Sequence, residues 1–101
     1  MALKVIQWST GNVGRYALRS IVGHPELELV GLFVSSEAKE GKDAGELAGI
    51  DSVGVKATRD IDALLAMDAD CVCYTADAGM RPGEAVEDMA KILASGKNVV
   101  S

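Results

Sequence analysis

The sequence predicts an α/β domain with a mostly parallel sheet, and three observations lead to this fold class. Short apolar runs rich in Val, Ile and Leu alternate with segments whose apolar residues recur every three or four positions. Hydrophobic residues make up 49% of the 101-residue chain and aromatic residues only 4%, which is typical of strands buried on both faces. A glycine-bearing turn joins the first strand-like run to the first helical segment. Strands and helices that alternate in this way form a single domain around a parallel sheet.

The segment KVIQWSTGNVGR, from Lys4 to Arg15, predicts a strand, a tight turn and the start of a helix. The dinucleotide-binding fingerprint G-x-G-x-x-G falls here on Ser9, Gly11 and Gly14, so serine replaces the first glycine. The first N–H groups of a helix have no partners within the helix and attract an anion. We therefore predict a pyrophosphate site formed by Ser9, Thr10, Gly11, Asn12, Val13 and Gly14. Alternatively, the glycine pair only allows helix and strand to pack closely.

The remaining segments continue the alternation. We expect a helix over about residues 12–22 with Gly23 as its cap, a strand at Leu27–Val34, and a polar stretch at 37–54 with one helical turn near Ala44–Ala48. Beyond it the pattern predicts a strand at Val55–Thr58, a helix capped by Asp60, a strand at Asp70–Thr75, a helix at Glu84–Ser95 and a strand at Asn98–Ser101. The elements predict a three-layer Rossmann-type domain with strand order 3-2-1-4-5 and right-handed crossovers.

Two further expectations concern the last predicted helix and the residue that follows the first helix. In the last helix Val86, Met89, Ile92 and Leu93 recur at helical spacing, and we expect them to face the sheet. His24 follows the first helix, where we expect it to meet the carbonyl end of the helix dipole rather than to act in catalysis.

Two serines and a lysine follow the second predicted strand, where nucleotide-binding domains select their cofactor. An Asp or Glu at this point accepts hydrogen bonds from both ribose hydroxyls and favours NAD. Ser35, Ser36 and Lys39 can instead donate to a 2′-phosphate, whereas a carboxylate would repel it. Glu37 lies beside them, so the residues favour NADP but leave NAD open. Alternatively, these residues form an ordinary solvated turn.

Thr75, Ala76 and Asp77 follow the fourth predicted strand, where ligands bind in open α/β sheets. Asp77 could accept a hydrogen bond from a ribose hydroxyl or bind a substrate ammonium. Equally, it could be a loop aspartate whose oxygens accept nearby backbone N–H groups.

Composition argues against several other classes of function. The net charge is −5 and the ten basic residues form no cluster, which disfavours binding to nucleic acid. No apolar stretch approaches the roughly 20 residues of a membrane span, so we expect no membrane association and a cytoplasmic location. Cys71 and Cys73 could form half of a metal site, but without nearby ligands we interpret them as buried core thiols.

Four segments resemble the amino-terminal domain of the dihydrodipicolinate reductase family, and within it the amine dehydrogenases typified by 2,4-diaminopentanoate dehydrogenase. They are STGNVGR, HPELELVG, GKDAGELAG and GKNVVS, which together span nearly the whole chain. The resemblance implies a nicotinamide cofactor with its pyrophosphate at Gly11–Gly14, its adenosine ribose near Ser35, Ser36 and Lys39, and its nicotinamide ribose near Thr75 and Ala76. Ser9 stands where relatives usually carry glycine.

The resemblance also implies that residues 1–101 form the cofactor domain of a longer enzyme, whose substrate-binding and catalytic groups lie in a second domain. The expected reaction transfers hydride between the cofactor and a small imine, amine or amino-acid-derived substrate, and we expect a homo-oligomer. Two alternatives remain: a non-catalytic nucleotide-sensing module, and a dehydrogenase or sugar oxidoreductase of another branch. The sequence shows no catalytic set of side chains, and a Rossmann unit can bind a cofactor without catalysing a reaction.

Overall fold

A computed structural model describes residues 3–9, 12–34, 37–74, 87 and 90–100 of the chain. Its five strands are β1 (Leu3–Trp8), β2 (Leu27–Phe33), β3 (Ala57–Thr58), β4 (Cys71–Tyr74) and β5 (Asn98–Val100). They form one sheet in the order β3-β2-β1-β4-β5, and every pair of neighbouring strands is parallel. The predicted strand order is therefore confirmed.

Helices cover both faces of this sheet. They are α1 (Asn12–Gly23), α2 (Ala44–Ala48) and α3 (Ile61–Leu65), and residues 90–94 are also helical. One apolar cluster joins Ile6, Trp8 and Val72 of the sheet to Leu64 of α3 and to Ile92. A second cluster includes Leu18 of α1 together with Leu32, Val34, Ala44, Ala48 and Ala57. The sheet thus lies between α1 and α2 on one face and α3 and residues 90–94 on the other, which confirms the three-layer fold.

The short helices begin as the sequence indicated. Asp60 precedes α3, and its Oδ1 accepts the Ala63 backbone N–H at 3.0 Å. The predicted helical turn near Ala44–Ala48 is α2. None of the described helices is long and apolar enough to cross a membrane.

The end of α1 differs in detail from the expectation. Gly23 is itself the last helical residue, and it is absent from the described glycines that adopt a left-handed backbone. The His24 ring accepts the Glu26 backbone N–H at Nδ1 over 3.1 Å. Instead of bonding to the last carbonyls of α1, the ring closes the turn that leads into β2.

The helix before β5 corrects one predicted core residue. Ile92 is fully buried, as expected, but Leu93 is 60% exposed, so the prediction that Leu93 faces the sheet is wrong. Successive residues of a helix point about 100° apart, and Ile92 occupies the inward position. Val86 and Met89 lie outside the residues that the structure describes.

Lys97 connects β5 to the end of α3. Only 6% of its surface is exposed, and its Nζ donates to the Leu65 carbonyl oxygen at 2.7 Å. Leu65 is the last residue of α3, where the carbonyl groups have no partner within the helix. The ammonium therefore satisfies an orphan carbonyl at the negative end of the helix dipole.

We expect Lys97→Met to lower the free energy of unfolding by about 1–3 kcal/mol, because it retains the apolar stem but leaves the Leu65 carbonyl without its charged donor. Chemical denaturation followed by circular dichroism measures this change. Lys91→Met, at an exposed position in the preceding helical segment, is the matched control and should have little effect. Equal stability of the two variants would contradict this role for Lys97.

Candidate functional site

The carboxyl ends of three neighbouring strands lie side by side at one edge of the sheet. Trp8 of β1 is paired with Phe33 of β2 and with Tyr74 of β4. Phe33 is in turn paired with Thr58 of β3. The three segments predicted to bind the dinucleotide follow β1, β2 and β4 in the sequence, and these three strands end together at this carboxyl edge. Helix α1, which follows β1, and residues 90–94, which come after β4 in the chain, lie on opposite faces of the sheet. In α/β domains a ligand crevice forms between strands whose connections take opposite faces.

Ser9 begins the turn between β1 and α1 with an unusual backbone conformation. Its φ angle is 87°, and no other described residue except glycine has a positive φ. Its N–H donates to the Phe33 carbonyl at 2.9 Å, and its own carbonyl accepts the Gln7 Nε2–H at 3.0 Å. Serine thus adopts the left-handed conformation that a glycine would occupy without a steric cost.

Helix α1 follows that turn and begins at the carboxyl edge. Asn12 is its first residue, and Gly14 is buried within its first turn. The first N–H groups of α1 are therefore available close to the end of β1. Thr10 and Gly11 lie outside the described residues, as do the side chains of Asn12 and Val13.

The segment after β2 was predicted to be a polar loop, but its described residues form regular backbone hydrogen bonds. The Lys42 N–H donates to the Lys39 carbonyl at 3.2 Å, which places Lys39 in a tight turn near the carboxyl edge. The chain then runs antiparallel along the outer side of β3, where Gly41 N–H donates to Ala57 O at 2.8 Å and Ala57 N–H to Lys42 O at 2.8 Å. Lys39 is half-buried in this arrangement. Ser35 and Ser36 lie outside the described residues.

Asp43 connects the two ends of this segment. Its carboxylate accepts the N–H of Gly45 at 2.7 Å, of Val53 at 2.9 Å and of Gly54 at 2.9 Å. The bond to Gly45 caps α2, while the other two hold the return of the chain toward β3. These N–H groups, that of Val53 above all, lower the pKa of the Asp43 carboxyl.

The motif GKDAGELAG contains two glycines that cannot readily be replaced. A Cβ at Gly45 would overlap the backbone carbonyl oxygen of Asp51. Gly49 caps α2 with φ 79°, and a Cβ there would lie 2.9 Å from an Arg19 Nη atom. Arg19 of α1 donates through Nε to the Ala48 carbonyl, the last of α2. The motif thus bonds to the chain's own backbone and to Arg19 of α1, while Ala44 and Ala48 pack in the second apolar cluster.

Arg59 is a basic residue at the carboxyl edge that the sequence analysis did not single out. It directly follows β3, and its backbone N–H donates to Glu40 Oε2 at 3.0 Å. This bond joins it to the turn that contains Lys39. Its position immediately after a predicted strand was a signal available in the sequence.

The sequence analysis also did not single out a stack of three aromatic rings beneath the candidate site. The Trp8 ring stacks on Phe33 with a centroid distance of 4.4 Å and on Tyr74 at 6.2 Å. Trp8 is fully buried and Tyr74 is 4% exposed. Each of these residues ends a strand, and this common position was visible in the sequence. The stack supports the carboxyl ends of β1, β2 and β4 as one rigid unit.

The remaining predictions concern three site residues after β4 and the two cysteines. Thr75, Ala76 and Asp77 lie outside the described residues. Cys71 and Cys73 are free thiols that are half-buried rather than fully buried, and burial raises the pKa of each. In the part of the chain that the structure describes, no three His, Cys, Asp or Glu side chains are grouped to hold a metal ion.

Comparison with known proteins identifies the family. The sequence model of the family described as "Dihydrodipicolinate reductase, N-terminus" matches residues 5–101. The chain belongs to this family. As the four sequence segments indicated, it is also similar to an amine dehydrogenase from Streptomyces virginiae, with 45% identity over 100 residues.

Solved structures with the same fold include that of an amine dehydrogenase from Mycobacterium smegmatis, with a TM-score of 0.80 and 20% identity over 98% of this chain. A biliverdin reductase from Synechocystis in complex with biliverdin and NADP+ has a TM-score of 0.73 and 20% identity over 96% of the chain. A myo-inositol dehydrogenase from Lactobacillus casei in complex with NAD(H) and myo-inositol has a TM-score of 0.72 and 21% identity over 98%.

The family member described here spans only part of those proteins. It covers 28% of the length of the Streptomyces amine dehydrogenase, and 29%, 28% and 27% of the three solved chains in the order given.

We expect Asp43→Asn to lower stability at neutral pH, because the amide retains the shape of the carboxylate but is a weaker acceptor for three N–H groups. Since the folded state has the lower pKa, the advantage of the wild type is complete above the ordinary carboxyl pKa of about 3.9. It is lost as the pH falls through the lower pKa of the folded state.

Thermal unfolding of both proteins between pH 2 and pH 7 measures this convergence. Asp51→Asn makes the same change at an exposed position on the same segment, and as the matched control it should have little effect on stability at pH 7. A difference between wild type and Asp43→Asn that stays constant down to pH 2 would contradict the assignment.

Proposed function

We propose that this chain is the NAD(P)-binding domain of an oxidoreductase. The observation that carries the proposal is the convergence of the Ser9 turn, the start of α1 and the turn of Lys39 at one carboxyl edge. A dinucleotide needs an anion site at a helix N-terminus and a second site, for the adenosine ribose, beyond the neighbouring strand. The family match over residues 5–101 supports the same conclusion.

In this proposal, each segment at the carboxyl edge binds one part of the cofactor. The turn and helix start at residues 9–14 bind the pyrophosphate through backbone N–H groups. Residues Ser35, Ser36 and Lys39 bind the adenosine ribose, and Thr75, Ala76 and Asp77 lie near the nicotinamide ribose. The lateral order of β2, β1 and β4 supports this assignment, because it matches the order of ribose, pyrophosphate and nicotinamide along an extended dinucleotide.

We favour NADP over NAD for this site. Lys39 is in the turn after β2, and Arg59 is joined to the same turn through Glu40. Two cations can offset the charge of a 2′-phosphate. Glu37 and Glu40 are also in this turn and reduce the preference, so we expect NAD to bind as well, but less tightly.

In the full-length enzyme, the proposed reaction transfers a hydride between the nicotinamide and a small imine, amine or amino-acid-derived substrate. The 45% identity to an amine dehydrogenase supports this class of substrate. The bound cofactor supplies or accepts the hydride, while this domain binds it and orients its nicotinamide ring. The groups that bind the substrate and transfer protons would belong to a further part of the enzyme, and the enzyme would act as a homo-oligomer.

Fluorescence titration of the chain with NADPH and NADH tests the proposal. Trp8 is the only tryptophan and lies directly before Ser9, so energy transfer from its indole to the reduced nicotinamide reports binding. We expect both nucleotides to bind, NADPH more tightly, with an advantage that decreases as salt screens the 2′-phosphate. Absence of binding by both nucleotides would refute the proposed function.

We expect Lys39→Glu to weaken NADPH binding by roughly tenfold or more, because a charge-assisted contact is lost and a repulsive charge is introduced. NADH affinity should change little. Lys42→Glu is the matched control, since it makes the same charge change at an exposed position on the segment paired with β3. Equal losses for NADPH and NADH would exclude Lys39 from 2′-phosphate recognition.

A further inference from the structure

We propose that Gln7 is a positioning residue for the pyrophosphate turn, because it holds Ser9 in the left-handed backbone conformation. The inference rests on the proposed function and adds a residue to it. No role in nucleotide binding was expected for Gln7, which lies within β1 and not in the turn itself.

Gln7 is an unusual residue for its position. Its side chain is 0% exposed, on a central strand with parallel neighbours on both sides. Such strands are normally filled by Val, Ile or Leu, and a buried carboxamide is costly unless it is hydrogen-bonded. Gln7 Nε2 donates to the Ser9 carbonyl at 3.0 Å. The buried amide is therefore directed at the end of its own strand.

The two hydrogen bonds at Ser9 fix both peptide groups around its Cα. Its N–H, which belongs to the preceding peptide plane, is bonded to Phe33 O at 2.9 Å. Its carbonyl, which belongs to the following plane, is bonded to Gln7 Nε2. Because φ and ψ are the rotations of these two planes about Cα, holding both planes holds both angles. A serine would otherwise leave the φ of 87°, since its Cβ crowds the following carbonyl.

The conformation of Ser9 matters because α1 begins at Asn12, only three residues later. The direction of the peptide plane after Ser9 determines how the chain enters the turn, and so where the first N–H groups of α1 point. If Ser9 relaxes to a right-handed or extended conformation, a smaller fraction of molecules presents the anion site. The apparent dissociation constant then rises in proportion.

A double-mutant cycle between Gln7 and Ser9 tests the proposal, with NADPH as the probe. Gln7→Met retains the size of the side chain but has no N–H, and it should weaken NADPH binding roughly tenfold, the usual cost of the left-handed conformation for an L-residue. Ser9→Gly needs no support at positive φ. Adding it to Gln7→Met should therefore restore affinity to within about twofold of the Ser9→Gly single variant.

Ile6→Val serves as the control for a general loss of stability, because Ile6 is a buried neighbour on β1 that packs in the apolar cluster with Leu64 and Ile92. It should lower the melting temperature without changing NADPH affinity, and it should show no coupling to Ser9→Gly. If Gln7→Met alone does not fold, the comparison is made in the Ser9→Gly background, where Gln7→Met should bind NADPH like its parent.

Unchanged NADPH affinity in Gln7→Met would overturn the positioning role, and so would a loss that Ser9→Gly does not restore. Either result can occur while the wild type binds NADPH, and it would leave the proposed function intact. Failure of the wild type to bind either nucleotide would overturn the proposed function and the role of Gln7 together. A tenfold loss with rescue by Ser9→Gly supports both.

Discussion

The parallel pairing of β1 with strands on both of its sides is the constraint on which most of this structure depends. Because Trp8 is in register with Phe33 and with Tyr74, the three strands end together. Parallel strands cannot be joined by a tight hairpin, so each end is followed by a longer connection that crosses a face of the sheet. Helix α1 after β1 and residues 90–94 before β5 pack on opposite faces. The stack of Trp8 on Phe33 and Tyr74 joins the ends of these three strands.

Side-chain donors complete the ends of the short elements, and two of the three come from distant parts of the chain. Arg19 bonds to the last carbonyl of α2, Lys97 to that of α3, and Gln7 to the residue that follows β1. A five-residue helix has hardly any internal hydrogen bonds, and it is unstable unless other groups satisfy its ends. Gln7 and Lys97, the buried polar side chains of the described residues, therefore both donate to backbone carbonyls at the ends of elements.

The GKDAGELAG motif satisfies backbone N–H groups in a similar way. Asp43 gathers three N–H groups, Gly45 leaves room for a carbonyl, and Gly49 turns the chain with a left-handed backbone. These requirements concern backbone atoms, so few substitutions are tolerated at these positions. By ordering the segment after β2, they also support the turn in which Lys39 lies.

Sequence patterns alone were enough to predict the elements, the strand order and the edge of the sheet at which a site is expected. Those features depend on apolar periodicity, on local caps such as Asp60 and on general rules of chain connection, all of which are local or topological. The packed structure was needed to show that Ile92 rather than Leu93 faces the sheet, because helical spacing cannot distinguish adjacent residues at the margin of an apolar face. The left-handed Ser9 and the burial of Lys97 also needed it. Each depends on a hydrogen bond to a residue remote in sequence, Phe33 for Ser9 and Leu65 for Lys97, and no local pattern records such a partner.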